Sequence, residues 1–193
     1  MFYWFSFLTY AVITAVTPGP NNIMSMTNAG KKGFRKALPF NFGILVGFTV
    51  VMLVCTLFCS VLTTLIYQIK TPMLVVGSAY MLYLAYETFR SNVTIEEKDA
   101  KGGFVRGLLL QFVNPKIYVY CIMSMESYIL PFYQGHTLAL ILFAVLLAVI
   151  GFIFTLVWSL FGSTFKKLFS EHAKVVNTIL ALLLVYCAIS LFL

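Results

Sequence analysis

Acidic side chains are scarce in this chain of 193 residues: six Asp and Glu stand against 13 Lys and Arg, and all charged residues make up only 10%. A soluble domain carries about 25% charge. That scarcity, with 61% hydrophobic residues and a mean hydropathy of +0.97, excludes a water-soluble fold and points to an integral membrane protein. Histidine is nearly missing, with only His136 and His172, each in a polar or basic loop. The cysteines Cys55, Cys59, Cys121 and Cys187 lie inside apolar runs and show neither CxxC nor metal-ligand spacing, so no metal and no cofactor are expected. The N-terminus lacks the basic stretch and small-residue cleavage site of a signal peptide, and its first apolar run is expected to be retained. No soluble domain, linker or low-complexity tract interrupts residues 1–193, which read as one transmembrane domain.

The positive charge that is present suggests no nucleic acid, because the basic residues fall in short clusters between apolar runs. Spans need ~20 apolar residues each, and six fit: about 2–28, 37–66, 72–90, 104–130, 137–164 and 173–193. Lys31, Lys32, Arg35 and Lys36 follow the first span; Arg90, Lys98, Lys101 and Arg106 surround the connection after the third; Lys166, Lys167 and Lys174 follow the fifth. The alternate connections hold Lys70 and, around Pro131 to His136, no Lys or Arg. This asymmetry puts the first, third and fifth connections in the cytoplasm and both termini outside. Phe2, Tyr3, Trp4 and Phe5, then Tyr67, then Phe132 and Tyr133 fit an outer aromatic belt, and Trp158 would mark the inner end of span 5. Gly43-x-x-x-Gly47 and Gly103-x-x-x-Gly107 offer small surfaces for helix contact within the chain.

Two places in this apolar frame cannot be continuous helix. In Thr17-Pro18-Gly19-Pro20-Asn21-Asn22 the prolines lack amide hydrogens, which frees the carbonyls of Thr14 and Val16. In Asn114-Pro115-Lys116, Pro115 frees the carbonyl of Gln111, and Asn114 is a good N-cap before a proline at the first helical position; Thr17 before Pro18 offers the same chemistry. Irregular backbone at membrane depth is tolerated where protein or a water-filled cavity covers it. Three spans per half make the second half enter from the opposite side, so residues of about 1–90 and 104–193 are expected to form an inverted repeat with broken helices 1 and 4. By helix rise, Pro18 lies roughly 22 Å from the outer start of span 1 and Pro115 roughly 16 Å from the inner start of span 4, depths at which the breaks can face each other.

The restarted half-helices would turn their N-terminal amides to the gap, a setting suited to a carboxylate. Lys116 adds a full charge there, to bind that carboxylate or to serve coupling; alternatively it pairs internally or reaches the inner surface. Asn21, Asn22, Asn114 and Gln111 supply amides, and the freed carbonyls could accept from an ammonium, so the substrate-binding set is Thr17, Pro18, Gly19, Pro20, Asn21, Asn22, Gln111, Asn114, Pro115 and Lys116. Glu87, at similar depth, could bind the amine or carry a proton, or simply pair with Arg90 at i+3.

Thr17-Pro18-Gly19-Pro20, Gly33-Phe34-Arg35, Gly43-x-x-x-Gly47, Tyr83-Leu84 and Asn114-Pro115-Lys116 together resemble the LysE/RhtB family of amino-acid efflux proteins over nearly the whole chain. Pro18 to Ile23, Leu110 to Asn114 and Leu180 to Ala188 are most similar to its cysteine and O-acetylserine exporting branch. The resemblance implies a transporter, not an enzyme. It implies export of small neutral amino acids across the bacterial inner membrane, with protons as coupling ion in an antiport and lipid around a single chain or a homo-oligomer. Many family members carry an acidic residue where Phe48 stands, which leaves span 2 without a proton carrier. Exporters of homoserine, threonine or basic amino acids remain alternatives, as does a membrane thiol–disulfide electron carrier, which would need a cysteine pair at the breaks.

Overall fold

The computed structural model describes residues 2–57, 59–90, 100–165 and 171–189, and all the elements among them are helical. Helix α1 (Trp4–Val16) is apolar around its whole circumference and stops because Pro18 disfavours a helical residue before it: Thr17 turns to ψ 136°. Helix α2 (Pro20–Lys32) restarts with proline at its first position. Gly33 then reverses the chain at φ 85°, a conformation that side chains resist, and α3 (Phe34–Leu57) follows. Helix α4 (Cys59–Arg90) is a single helix of 32 residues containing Pro72.

The second half repeats the plan. Helix α5 (Ala100–Val113) ends at Asn114, and α6 (Pro115–Ser124) restarts behind it, bent by 60°. A π-helical turn at Met125–Ile129, not foreseen from the sequence, leads to α7 (Leu130–Tyr133), then α8 (Thr137–Thr164) and α9 (Ala173–Ile189). Both helix breaks expected at Thr17–Gly19 and Asn114 are therefore present.

The expected division between spans 2 and 3 is corrected. It falls at residues 67–71, yet α4 runs through that stretch; residue 58, between α3 and α4, lies outside the described residues. Residues 59–71 contain no Gly, Asn or Asp, and the single Pro72 removes one helical hydrogen bond, which a helix survives at membrane depth. Thr17 is likewise not the N-cap of the restarted helix: it caps the end of α1, and Gly19, with extended backbone, stands before Pro20. The connection at 91–99 and the cluster Lys166–Lys167 lie outside the described residues.

Among the described residues, α3 and α8 are long and apolar enough to cross a membrane, and the bent pair Gly103–Val113 plus Pro115–Tyr133 makes a third such unit. Helices α1 and α9 are shorter apolar helices. The outer surface carries Val12, Ile13, Val50, Leu142, Val149 and Ile153, as a lipid-facing surface does.

Packing splits into two layers that meet at the breaks. One core gathers Phe7 of α1, Met52 of α3, Cys121 and Met125 beyond the α6 restart, and Leu147 of α8. The other gathers Ile23 of α2, Ile44 of α3, Met81 of α4, Leu110 of α5 and Leu184 of α9. Helices α3 and α5 pack together, as do α2 and α8, α4 and α9, and α3 and α8. Glycines permit the tightest of these approaches: a Cβ on Gly43 would overlap the carbonyl of Phe104, one on Gly107 the carbonyl of Phe40, and one on Gly162 the carbonyl of Met26. Gly47 would meet the Leu108 carbonyl oxygen at 2.7 Å. The glycine pattern therefore acts within the chain, except at Gly103, whose nearest neighbour would be 3.8 Å away. Phe2 binds the two chain ends of the first layer into one aromatic cluster, with ring centroids 5.7 Å from Phe132 and 5.6 Å from Tyr133.

Candidate functional site

The two breaks lie against each other. Each leaves backbone groups without helical partners, and side chains meet several of them. At the first, the Asn22 amide donates to the carbonyls of Ala15 (2.9 Å) and Thr17 (3.0 Å), folding the start of α2 back onto the end of α1. The carbonyl of Val16, expected to be an open acceptor, instead takes the indole N–H of Trp158 from α8 at 3.1 Å. At the second, the Asn114 Oδ1 accepts from the Lys116 backbone N–H at 3.2 Å, as an N-cap does. The Tyr118 hydroxyl donates to the Phe112 carbonyl at 3.0 Å across the bend.

Contacts then cross from one break to the other. Asn21 and Gln111 exchange amide hydrogen bonds of 2.8 and 3.1 Å, and Asn114 Nδ2 donates to Asn21 Oδ1 at 3.3 Å. Gln111 also donates to the Gly107 carbonyl one turn earlier at 2.8 Å. The Lys116 ammonium donates to the Thr17 carbonyl at 2.9 Å, so its internal partner is backbone rather than a carboxylate. Gly19 makes room for it: a Cβ there would stand 3.1 Å from Lys116 Cδ and 3.2 Å from Nζ.

Beside this junction opens a cavity of about 400 Å³, counting the part continuous with the outside. Its polar side is made by Asn21, Asn22, Asn114 and Lys116 with Gly19 and Pro20; its other walls are Thr14, Ala15, Phe48, Ile117, Tyr120, Gly151 and Thr155. Four members of the expected set do not line it. Thr17 and Pro18 are exposed at the break, Gln111 is fully buried behind Asn21, and Pro115 is buried where a Cβ on Gly77 would meet its ring at 2.7 Å. The cavity walls from α3 and α8 carried no local signal in the sequence; Thr155, a hydroxyl in the most apolar helix, was the one hint.

Glu87 is elsewhere. Its carboxylate pairs with Arg106 of α5, while Arg90, the expected partner, donates to the Tyr86 hydroxyl at 3.0 Å. Spacing suggested Arg90, but the tight approach of neighbouring helices brings Arg106 closer. The same end of the bundle carries Lys31, at the close of α2; burial lowers its pKa to about 8, and the Glu87 charge opposes that shift. A second polar group is fully enclosed between α2, α3 and α8: the Ser25 hydroxyl donates to Asn41 Oδ1 at 2.8 Å and Asn41 Nδ2 to the Ser159 hydroxyl at 3.0 Å. No cluster of metal-ligating residues occurs among the described residues.

The family model described as "LysE type translocator" matches residues 12–193. A "Cysteine/O-acetylserine efflux protein" of Salmonella typhimurium (strain LT2) is 39% identical over 97% of this chain and 96% of its own. Proteins so named from Klebsiella pneumoniae and Escherichia coli (strain K12) are 38% and 36% identical, covering 95% and 97% of this chain and 94% and 96% of theirs. No solved structure gives a significant match.

Proposed function

The chain belongs to the LysE family of translocators, a membrane protein and a transporter rather than an enzyme, and from that premise we propose that it exports small neutral amino acids of the cysteine and O-acetylserine type. Export runs across the bacterial inner membrane by alternating access, driven by the proton gradient, with six spans arranged as an inverted repeat of about 1–90 and 104–193. Support for the repeat comes from the helix pairing: α3 packs on both half-helices of the second break, α5 and α6, as α8 packs on both of the first, α1 and α2, and each half holds one proline break. Both termini are outside the cytoplasm in this reading, following the basic clusters.

The observation that carries the proposal is the Lys116 ammonium at the junction of two half-helices. Only one of its three N–H groups is needed for the Thr17 carbonyl. The first turn of α2 leaves backbone N–H groups without helical acceptors beside it, while at α6 the N–H groups of Lys116 and Ile117 are taken by Asn114 and the dipole end remains. A substrate carboxylate entering the cavity finds a full charge and two dipole ends. The site amides Asn21, Asn22 and Asn114 shape this receptor more than they solvate the substrate, since each is already bonded to the other break or its own.

Among the described cavity residues there is no Asp or Glu, which favours neutral side chains over the alternative of a basic-amino-acid exporter. Homoserine and threonine remain within the same chemical class. The test is intracellular accumulation of an amino-acid panel in cells with and without the protein, repeated for Lys116→Ala and Asn22→Ala. Accumulation falls with the wild type and rises in both variants; wild-type efflux from both at matched membrane abundance would remove this site.

A further inference from the structure

The wall opposite Lys116 has two features that its packing alone does not require. The first is the seat of Phe48. A Cβ on Gly151 would lie 3.1 Å from Phe48 Cδ1 and Cζ and closer still to Cε1, so the ring rests on the bare backbone of α8. The preceding Gly47 holds α3 close to α5: a Cβ there would stand 2.7 Å from the Leu108 carbonyl oxygen. The ring of Tyr120 closes the third side, 5.9 Å away between centroids. The second feature is the Tyr120 hydroxyl. Tyr120 is 3% exposed and lines the cavity, yet its enclosed hydroxyl has no hydrogen-bond partner among the described residues. A buried hydroxyl left unmade costs about 1–3 kcal/mol, and a partner brought by the substrate would recover it.

We propose that Phe48, Gly151 and Tyr120 form the side-chain subsite of the transporter: Phe48 seated on Gly151 sets the upper size limit, and the Tyr120 hydroxyl pairs with a polar atom of the transported side chain. The substrate class is then a short, uncharged side chain carrying a hydrogen-bonding group, such as a hydroxyl, thiol or ester oxygen. This rests on the export reading above and adds to it which end of the cavity does the selecting. The carboxylate end at Lys116 is common to every amino acid and cannot discriminate among them.

The experiment measures efflux of alanine, serine, cysteine, O-acetylserine, norvaline and phenylalanine from preloaded cells, and takes ratios between substrates so that differences in abundance cancel. In Phe48→Leu the phenylalanine-to-alanine ratio rises about tenfold, the scale on which a hydrophobic pocket distinguishes side-chain size. Gly151→Ala pushes the ring inward and lowers the O-acetylserine-to-alanine ratio by a similar factor, and the double variant Phe48→Leu/Gly151→Ala brings that ratio back. Tyr120→Phe, which removes one oxygen and keeps the ring, lowers the serine-to-alanine ratio about fivefold or more. Unchanged ratios in Phe48→Leu and Tyr120→Phe, with wild-type export intact, overturn the subsite. A wild type that exports none of the six overturns the export reading itself.

Discussion

The Lys116 ammonium donates to the carbonyl oxygen of Thr17 at 2.9 Å, joining positions 99 residues apart in the chain. The cation of one broken helix thus closes the carbonyl end of the other. A carboxylate arriving in the cavity competes for that ammonium, so binding and release of the junction are one event in the proposed cycle. Lys116→Gln keeps a donor and loses the charge; it is expected to reduce export at least tenfold, since hydrogen bonds to charged groups contribute about 1.5–3 kcal/mol. Lys116→Arg keeps the charge and retains measurable export. Equal efflux from Lys116→Gln and wild type in initial-rate assays would contradict this.

Trp158 replaces the hydrogen bond that Pro20 denies to the Val16 carbonyl. Trp158→Phe preserves most of the ring and removes the donor. Purified in detergent, this variant should be less stable by about 0.5–1.5 kcal/mol, the range for side-chain hydrogen bonds between membrane helices. Thermal unfolding indistinguishable from wild type would mean that another group satisfies that carbonyl.

Gly103 and Gly107 share a sequence pattern but not an environment. A Cβ on Gly107 overlaps the backbone of Phe40, while one on Gly103 has only ordinary contacts from 3.8 Å outward. Overpacking costs typically about 1–3 kcal/mol. Gly107→Ala should lower the unfolding temperature clearly and Gly103→Ala hardly at all; equal effects would break the assignment of the α3–α5 approach.

Glu87, considered a coupling carboxylate from sequence, is paired with Arg106 and does not line the cavity. In Glu87→Gln the pH dependence of export should keep the wild-type midpoint, with a change in rate of about threefold or less, as suits a partly exposed pair. A shift of the midpoint would restore Glu87 to the proton path.

Lys31 supplies a pH signature. Its pKa in the folded protein is about 8 against an ordinary 10.5, because burial disfavours the charged form. The unfolded chain binds the proton more strongly, so stability is lowest below pH 8 and rises as pH climbs from about 8 toward 10.5. The unfolding temperature in detergent should increase between pH 7.5 and 9.5, and Lys31→Met should flatten that rise. An equally steep rise in Lys31→Met would assign the effect to another group.

Sequence made the breaks legible because proline acts on its own neighbours. Pro18, Pro20 and Pro115 each remove hydrogen bonds within four residues, and Asn114 caps locally. The meeting of the breaks followed from counting helices and their rise. What could not be read were partners brought in by packing. Trp158 reaches Val16 across 142 positions, and Arg106 displaces Arg90 at Glu87 from a different helix. Phe48 stood out only as lacking the acidic group of many family members, and Gly151 not at all, although their contact shapes the cavity. Pro72, which looks like a breaker between the second and third spans, sits inside α4.

The side-chain caps at Thr17–Gly19 and Asn114 have a mechanical consequence. In an unbroken helix, bending by tens of degrees must rupture backbone hydrogen bonds; here Asn22, Trp158, Asn114 and Tyr118 have already taken those places. Rotation of α1 or α6 about its break therefore changes side-chain torsions rather than the helical ladder. In the proposed transport cycle each break would act as a hinge with its axle next to the cavity, where a small turn would swing the far end of a half-helix through a much larger arc.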